Sequence, residues 1–220
     1  NGTRGVVAAT DPNGVKVLTR DEIGQQRQDR LTVTQTVRNA RHGYAIDAED
    51  RLWRWSAGGS DFTPLLDSVA YAAAGESGLL VIRCDGSLWE RRDGVGDWQR
   101  VAGTAIHAWV GDSANYFIDA ARRLHVTGKA HRGQYGNGRL EASADSVVGA
   151  DDAQVVYSHT GHAVFLRGDG AVLGTGGNLA GPLGRHVFGD KAVRWEVIFE
   201  HASALGTGSR HTLATRPDGS

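Results

Sequence analysis

The chain has 220 residues, enough for one or two domains with a substantial buried core, and its apolar content of 40% excludes general disorder. A net charge of −1 lacks the basic excess of a dedicated nucleic-acid binder, so we expect no nucleic acid as a partner. Cys84 is the only cysteine, which excludes an internal disulfide and leaves the compartment open. No apolar run is long enough for membrane insertion.

Six short segments repeat along the chain, and each is an apolar strand that leads into a polar turn. The spacings between their starts are 36, 36, 36, 48 and 49 residues, and the starts are Val6, His42, Gly78, Ala114, His162 and His211. Asn-Gly or Asp-Gly pairs such as Asp85-Gly86 and Asp169-Gly170 predict tight hairpins, because turn residues must tolerate positive φ. Such fixed-period similarity is the signature of a repeat architecture.

A further strand is predicted before most hairpins, at 31–37, 68–73, 105–110, 153–157 and 202–205. No segment sustains a helical period, so the chain is predicted to be all-β. A unit of 36 to 49 residues with three or four short strands is typical of a propeller blade. Blades pack on both faces, which explains four consecutive apolar residues at 79–82. We predict a single β-propeller domain over 1–220.

The later units carry a longer connection after the hairpin, and this connection has a recognisable form. It reads TGKAHRGQYGNG at 127–138, TGGNLAGPLGRH at 175–186 and, more faintly, TRDEIGQQRQ at 19–28. With the pattern G-x-x-H-x-x-x-x-x-x-D-G at 208–219, these segments resemble the repeat of the regulator-of-chromosome-condensation (RCC) propeller family. The middle of the chain resembles the tectonin repeat, another propeller family, through RLWRW at 51–55 and SLWERRDGVGDWQRVAG at 87–103.

Both resemblances imply a propeller, with six blades in tectonins and seven in the RCC type. We therefore expect six blades, or part of a seven-bladed ring. Because both termini contribute the same hairpin region, we expect the chain to be trimmed at both ends. The RCC resemblance implies protein partners, and the tectonin resemblance implies glycans. The loop wedge on which nucleotide exchange depends in the RCC family has no counterpart here, so that activity is not expected.

Our leading hypothesis is a binding module that recognises a protein partner through rim loops and acts as an inhibitor, scaffold or targeting domain. The residues expected at the interface lie in the long connections and are Arg20, Glu22, Gln25, His131, Arg132, Tyr135, Leu179, Arg185 and His186. Arg132 and Tyr135 lead this set, since Arg and Tyr are favoured interface anchors. Closing the loop onto the next blade is the alternative role for these two residues.

The alternative function is a tectonin-like carbohydrate-binding propeller. Its support is the set of tryptophans that the repeat does not constrain, because a flat apolar ring stacks on a sugar; these are Trp55, Trp98, Trp109 and Trp195. Trp53 and Trp89 occupy one repeat position and are expected to pack between blades.

The sequence gives no residue-level support for catalysis. His42, His162 and His211 recur at one repeat position, which places them on different blades, and the RCC resemblance makes this histidine a structural turn residue. No serine or cysteine has a companion base at a characteristic spacing. We therefore expect a non-enzymatic protein without a catalytic residue, metal or cofactor.

Overall fold

The computed structural model describes residues 8–11, 14–17, 19–20, 26–27, 33–38, 42–56, 62–76, 78–92, 96–159, 161–184 and 191–220. These residues form strands, turns and irregular segments, and none of them belongs to a helix that could cross a membrane. The strands in chain order are β1 (Ala8–Asp11), β2 (Gly14–Val17), β3 (Thr19–Arg20), β4 (Gln26–Arg27), β5 (Val33–Arg38), β6 (His42–Asp47), β7 (Leu52–Ser56), β8 (Phe62–Leu66), β9 (Val69–Gly75), β10 (Gly78–Arg83), β11 (Leu88–Arg92), β12 (Gln99–Ala102), β13 (His107–Val110), β14 (Ala114–Ile118), β15 (Leu124–Ala130), β16 (Ala142–Ala150), β17 (Ala153–His159), β18 (His162–Arg167), β19 (Val172–Gly177), β20 (Lys191–Phe199), β21 (Ala204–Thr207) and β22 (Thr212–Thr215).

Four antiparallel meanders of four strands each form the body of the described structure. We call β5–β8 the first blade, β9–β12 the second, β13–β16 the third and β17–β20 the fourth. The pairs β1–β2, β3–β4 and β21–β22 form three smaller sheets. The all-β prediction is confirmed, and the repeated hairpins at 42, 78, 114 and 162 become the second and third strands of these blades.

The hydrophobic core lies between neighbouring blades. In β10, Leu79 and Val81 pack toward the first blade, whereas Leu80 and Ile82 pack toward the third. Alternate residues of β14 and β18 likewise enter the two cores that flank their blade. Because successive strand residues point to opposite faces and both faces are covered, each central strand must be apolar throughout.

The first strand of each blade packs beside the first strand of the next, so these strands lie innermost. A backbone hydrogen bond also joins consecutive blades at the turn between the second and third strands. Its acceptor is the last carbonyl of that turn, and its donor is the backbone amide at the start of the next blade. The pairs are Val69 to Asp50 and Ala105 to Gly86 at 2.8 Å, Ala153 to Arg122 at 2.9 Å, and Ala202 to Gly170 at 2.8 Å.

The turns between second and third strands differ from the expected two-residue form. The Gly86 amide donates to the Arg83 carbonyl at 2.8 Å, and among the turn residues only Gly86 has a positive φ, at 81°. This is a longer hairpin loop in which one residue adopts the left-handed conformation. The same position has φ between 59° and 87° in five repeats, at Asp50, Gly86, Arg122, Gly170 and Gly219.

Two turns have no glycine at the left-handed position, and each has a buried aspartate three residues before that position, Asp47 or Asp119. The Asp119 carboxylate accepts hydrogen bonds from the backbone amides of Ala121 and Arg123 at 2.9 and 3.0 Å. Asp47 makes the same contacts in the first blade. These bonds stabilise the turn from within, which explains why a non-glycine residue is accepted at the left-handed position.

Replacing Gly86 with alanine should destabilise the protein by about 1 kcal/mol, because only the backbone conformation opposes a side chain there. A Cβ at Gly86 would meet nothing within 4 Å. Chemical denaturation measures the change. Arg122→Gly is the matched control at the same turn position and should have an effect close to zero. A neutral Gly86→Ala would contradict the requirement for a left-handed residue.

Candidate functional site

The candidate site lies at one edge of the third and fourth blades. This edge, which we call the loop rim, carries the turns that join first to second strands, the long loop at 131–141 and the described part of the next long loop, 178–184. The short turns between second and third strands lie at the opposite edge. The loop rim therefore holds the segments whose length varies between repeats.

The loop at 131–141 has a fixed conformation because a buried glutamine organises it. The Gln134 side-chain oxygen accepts hydrogen bonds from the backbone amides of His131 and Arg132, at 3.1 and 2.8 Å. The Gln134 carbonyl accepts one from the Tyr116 hydroxyl at 3.1 Å. His131 and Arg132 are thereby presented as exposed side chains on a rigid turn.

Tyr135, expected to head the interface, lies instead in the core between the third and fourth blades. Its side chain is 0% exposed, and its hydroxyl donates to the Gly128 carbonyl at 2.7 Å. Leu183 occupies the corresponding position one repeat later and is also fully buried. Of the two roles considered for Tyr135, the structure places it in loop closure, because a fully buried ring has no surface for a partner.

The loop of the fourth blade presents an exposed leucine. Leu179 is 85% exposed, whereas its neighbour Asn178 is buried. The Asn178 side-chain oxygen accepts a hydrogen bond from the Leu183 amide at 2.9 Å. The backbone carbonyl of Asn178 accepts another from the Gly181 amide at 2.8 Å. Leu179 thus protrudes from a loop that is already ordered, which reduces the conformational entropy lost when a partner covers it.

Arg132 lies over two glycines of the fourth blade, Gly161 and Gly177. A Cβ built on Gly161 would be 2.7 Å from the Arg132 Cδ, and one built on Gly177 would be 3.5 Å from the same atom. The Arg132 side chain therefore reaches Gly177, which precedes Leu179 by two residues in the chain. The two glycines leave the space that this path requires.

The other expected interface residues are not placed by the structure. Arg20 lies in β3, where the side chains are not described, and Glu22, Gln25, Arg185 and His186 lie outside the described residues. Of the nine residues predicted, the structure thus places His131, Arg132 and Leu179 at the surface.

The four tryptophans of the carbohydrate hypothesis are all partly buried. The Trp109 ring nitrogen donates to the Ser158 carbonyl at 2.8 Å, and its ring meets Tyr157 edge-on at 4.8 Å. Trp195 packs edge-on against Phe165 at 5.0 Å. Trp98 lies under the Arg91 guanidinium at 5.9 Å, and Trp55 lies against Gly43. Trp109 and Trp195 therefore contribute to the packing between the third and fourth blades.

The titratable side chains of the described ranges were predicted to hold no metal. No group of three or more His, Cys, Asp or Glu residues there is arranged to hold a metal ion. His162 is buried, its ring nitrogen Nε2 lies 3.0 Å from the Thr207 hydroxyl, and burial lowers its pKa to about 4. Such a histidine is neutral at physiological pH and joins β18 to β21.

Sequence reasoning missed Gln134 and Asn178, the two side chains that order the loops. Each lies in a Gly-rich segment, and each bonds the backbone amides of its own loop. An amide side chain between glycines was the available signal, because Asn and Gln often bond to the backbone of irregular segments.

Four-stranded meanders that pack face to face with their first strands innermost define a β-propeller. No protein-family model matches this chain, and no curated protein matches its sequence. Solved structures show that the fold is the RCC-type propeller. The chain is similar to Prp20p from Saccharomyces cerevisiae, with a TM-score of 0.71 and 16% identity over 95% of this chain and 63% of that one.

Two further structures have the same fold. Yeast RCC1 (Prp20) bound to Kap60 has a TM-score of 0.73 and 15% identity, over 95% of this chain and 61% of that one. Human WBSCR16 has a TM-score of 0.71 and 16% identity, over 93% of this chain and 67% of that one. The chain thus spans about three fifths of the length of the yeast proteins, and these identities establish the fold alone.

Proposed function

We propose that this chain is a non-enzymatic protein-binding β-propeller that recognises a partner through the loop rim of its third and fourth blades. The observation that carries the proposal is Leu179, which is 85% exposed on an ordered loop and follows by two residues Gly177, over which Arg132 lies. An exposed apolar side chain and an arginine, both on rigid supports, are the composition expected of an interface anchor.

The similar structures support the same class of function. Prp20p is described by its binding to Gsp1p and histones, and Kap60 is bound to Prp20 in the second yeast structure. These partners belong to those proteins. For this chain they support a protein partner as the general class, and the rim residues supply the particular hypothesis.

Replacing Leu179 with aspartate should reduce capture of the partner by roughly 30-fold, because a charge replaces an apolar anchor at the centre of the contact. The measurement is affinity capture from lysate on the immobilised chain with quantitative proteomics. Ile106→Asp is the matched control, since Ile106 is 47% exposed and lies outside the loop rim. Both variants should melt like the wild type.

Equal capture by Leu179→Asp and the wild type would place the interface elsewhere. Running the capture before and after enzymatic deglycosylation tests the carbohydrate alternative as well. Glycoproteins that are captured and then lost after this treatment would favour the lectin function, and loss of capture in Trp98→Ala or Trp109→Ala would agree with it.

A further inference from the structure

Four basic side chains lie on the loop at 131–141 and at the start of β20. They are Arg132, Arg139, Lys191 and Arg194, and all four are exposed. The whole chain has a net charge of −1, so this local excess of positive charge is not a property of the composition. We call these four residues the basic patch.

The fold, and not the sequence spacing, brings Arg132 and Lys191 together. The Gly133 amide donates to the Leu140 carbonyl at 2.9 Å, which joins the two arms of the loop that carry Arg132 and Arg139. The Arg132 side chain lies on the side of Gly177 toward which a Cβ would point. Lys191 is the antiparallel partner of Gly177 and therefore projects on that same face.

Arg194 joins the patch from β20. A Cβ built on Gly138 would lie 2.9 Å from the Arg194 Nη2 atom, so the guanidinium lies directly over Gly138, the residue that precedes Arg139. The Gly138 amide donates to the Val193 carbonyl at 2.7 Å, which fixes this arrangement through the backbone. The loop of the third blade is thereby joined to the fourth blade.

Within the described part of the chain, none of the four cations has a carboxylate within 4.0 Å, whereas Arg51, Arg123 and Arg167 each form an ion pair. Glu141 and Glu196 are exposed nearby in sequence and do not pair with them. Like charges held close together repel each other, and a folded protein relieves this repulsion by binding anions. The basic patch is therefore an unsatisfied electrostatic surface.

The apolar surroundings of the patch indicate which anionic partner fits. Leu140, which follows Arg139, is 39% exposed, and Leu179, two residues after Gly177, is 85% exposed. A nucleic-acid strand requires aromatic rings for base stacking or a longer cationic track, whereas the ring of Tyr135 in this loop is buried. Carboxylates interspersed with apolar side chains match both features.

We propose that the basic patch binds an acidic segment of the protein partner, in which Asp or Glu residues alternate with leucine-like side chains. This inference rests on the proposed function and specifies the chemistry of the partner. The carboxylates would contact the guanidinium and ammonium groups, and the apolar side chains would cover Leu140 and Leu179. Arginine is suited to this role because its planar group binds a carboxylate through two parallel hydrogen bonds.

The test uses a fluorescein-labelled peptide of repeated Glu-Glu-Leu triplets and the full chain, with binding followed by fluorescence anisotropy. The wild type should bind this peptide, and its affinity should fall as salt is added. The Arg139→Glu/Lys191→Glu double variant should bind on the order of 10- to 100-fold more weakly. Arg92→Glu/Arg100→Glu makes the same charge change on the second blade and should bind as the wild type does.

Three results would overturn the inference. They are an absence of peptide binding by the wild type, equal weakening by the two double variants, and equal binding of a Gln-Gln-Leu peptide. Tighter, patch-dependent binding of a single-stranded oligonucleotide of equal charge would also overturn it, in favour of nucleic acid. If Leu179→Asp abolishes partner capture while the peptide does not bind, the proposed function stands and only the acidic segment is excluded.

Discussion

Replacing Tyr135 with alanine is expected to destabilise the protein by about 3–5 kcal/mol, as for other large aromatic residues removed from a core. The ring is 0% exposed and packs in the cluster that joins the third and fourth blades, together with Phe165 and Leu173. Its removal leaves a cavity at the base of the loop that carries Arg132. Urea denaturation with the wild type as reference measures the loss.

Tyr135→Phe separates the packing of the ring from the hydrogen bond to the Gly128 carbonyl. This variant keeps the ring and leaves one carbonyl without its donor, so a smaller loss of about 1–2 kcal/mol is expected. An alanine variant that unfolds like the wild type but no longer captures a partner would show that Tyr135 is a surface anchor, contrary to its burial.

Replacing Asp119 with alanine is expected to cost about 3 kcal/mol, because several hydrogen bonds lose their common acceptor. The carboxylate accepts from two backbone amides of the turn, from the Arg123 guanidinium at 2.9 Å and from the His125 ring at 2.9 Å. Calorimetry or chemical denaturation measures the change. Asp169→Ala is the matched control, since that turn has Gly170 at the left-handed position, and its loss should be smaller.

The same carboxylate predicts a dependence of stability on pH. Burial raises the pKa of Asp119, but the hydrogen bonds from His125 and Arg123 outweigh it and lower the pKa from 3.8 to about 2. Asp119 in the unfolded chain therefore binds a proton at a higher pH than in the folded chain. The stabilisation that the ionised carboxylate gives to the folded state is complete above pH 3.8 and is lost as pH falls toward 2. The stability difference between wild type and Asp119→Asn should shrink over this range, and a constant difference would contradict the ionised carboxylate.

The sequence predicted the blades well because their signals are local. The predicted strand at 153–157 begins at the residue where β17 begins, and the apolar run at 79–82 proved to fill two cores. Strand alternation, turn residues and repeat period are all read within a few residues. The turn geometry was less accessible, since Asp-Gly is compatible with hairpin loops of more than one length.

The candidate site could be predicted only in part, because contacts between distant segments decide it. The sequence left two roles open for Tyr135, an interface anchor and a residue that closes the loop onto the next blade. Its burial depends on the fourth blade, and the apolar Leu183 at the same repeat position was the available clue. The basic patch requires the pairing of Gly177 with Lys191, which no local pattern encodes.

The hydrogen bond between consecutive blades has a consequence for how such a chain changes over evolutionary time. It joins two backbone groups, so it imposes no side-chain identity on either partner. Its acceptor and donor are 19 residues apart at Asp50 and Val69 but 32 apart at Gly170 and Ala202, and the geometry is the same at 2.8 Å. Most of the added residues fall between the third and fourth strands, and the rest lengthen those two strands. The loops of the rim can therefore lengthen or shorten while neighbouring blades stay in register, and the surface they form can diverge without a loss of architecture.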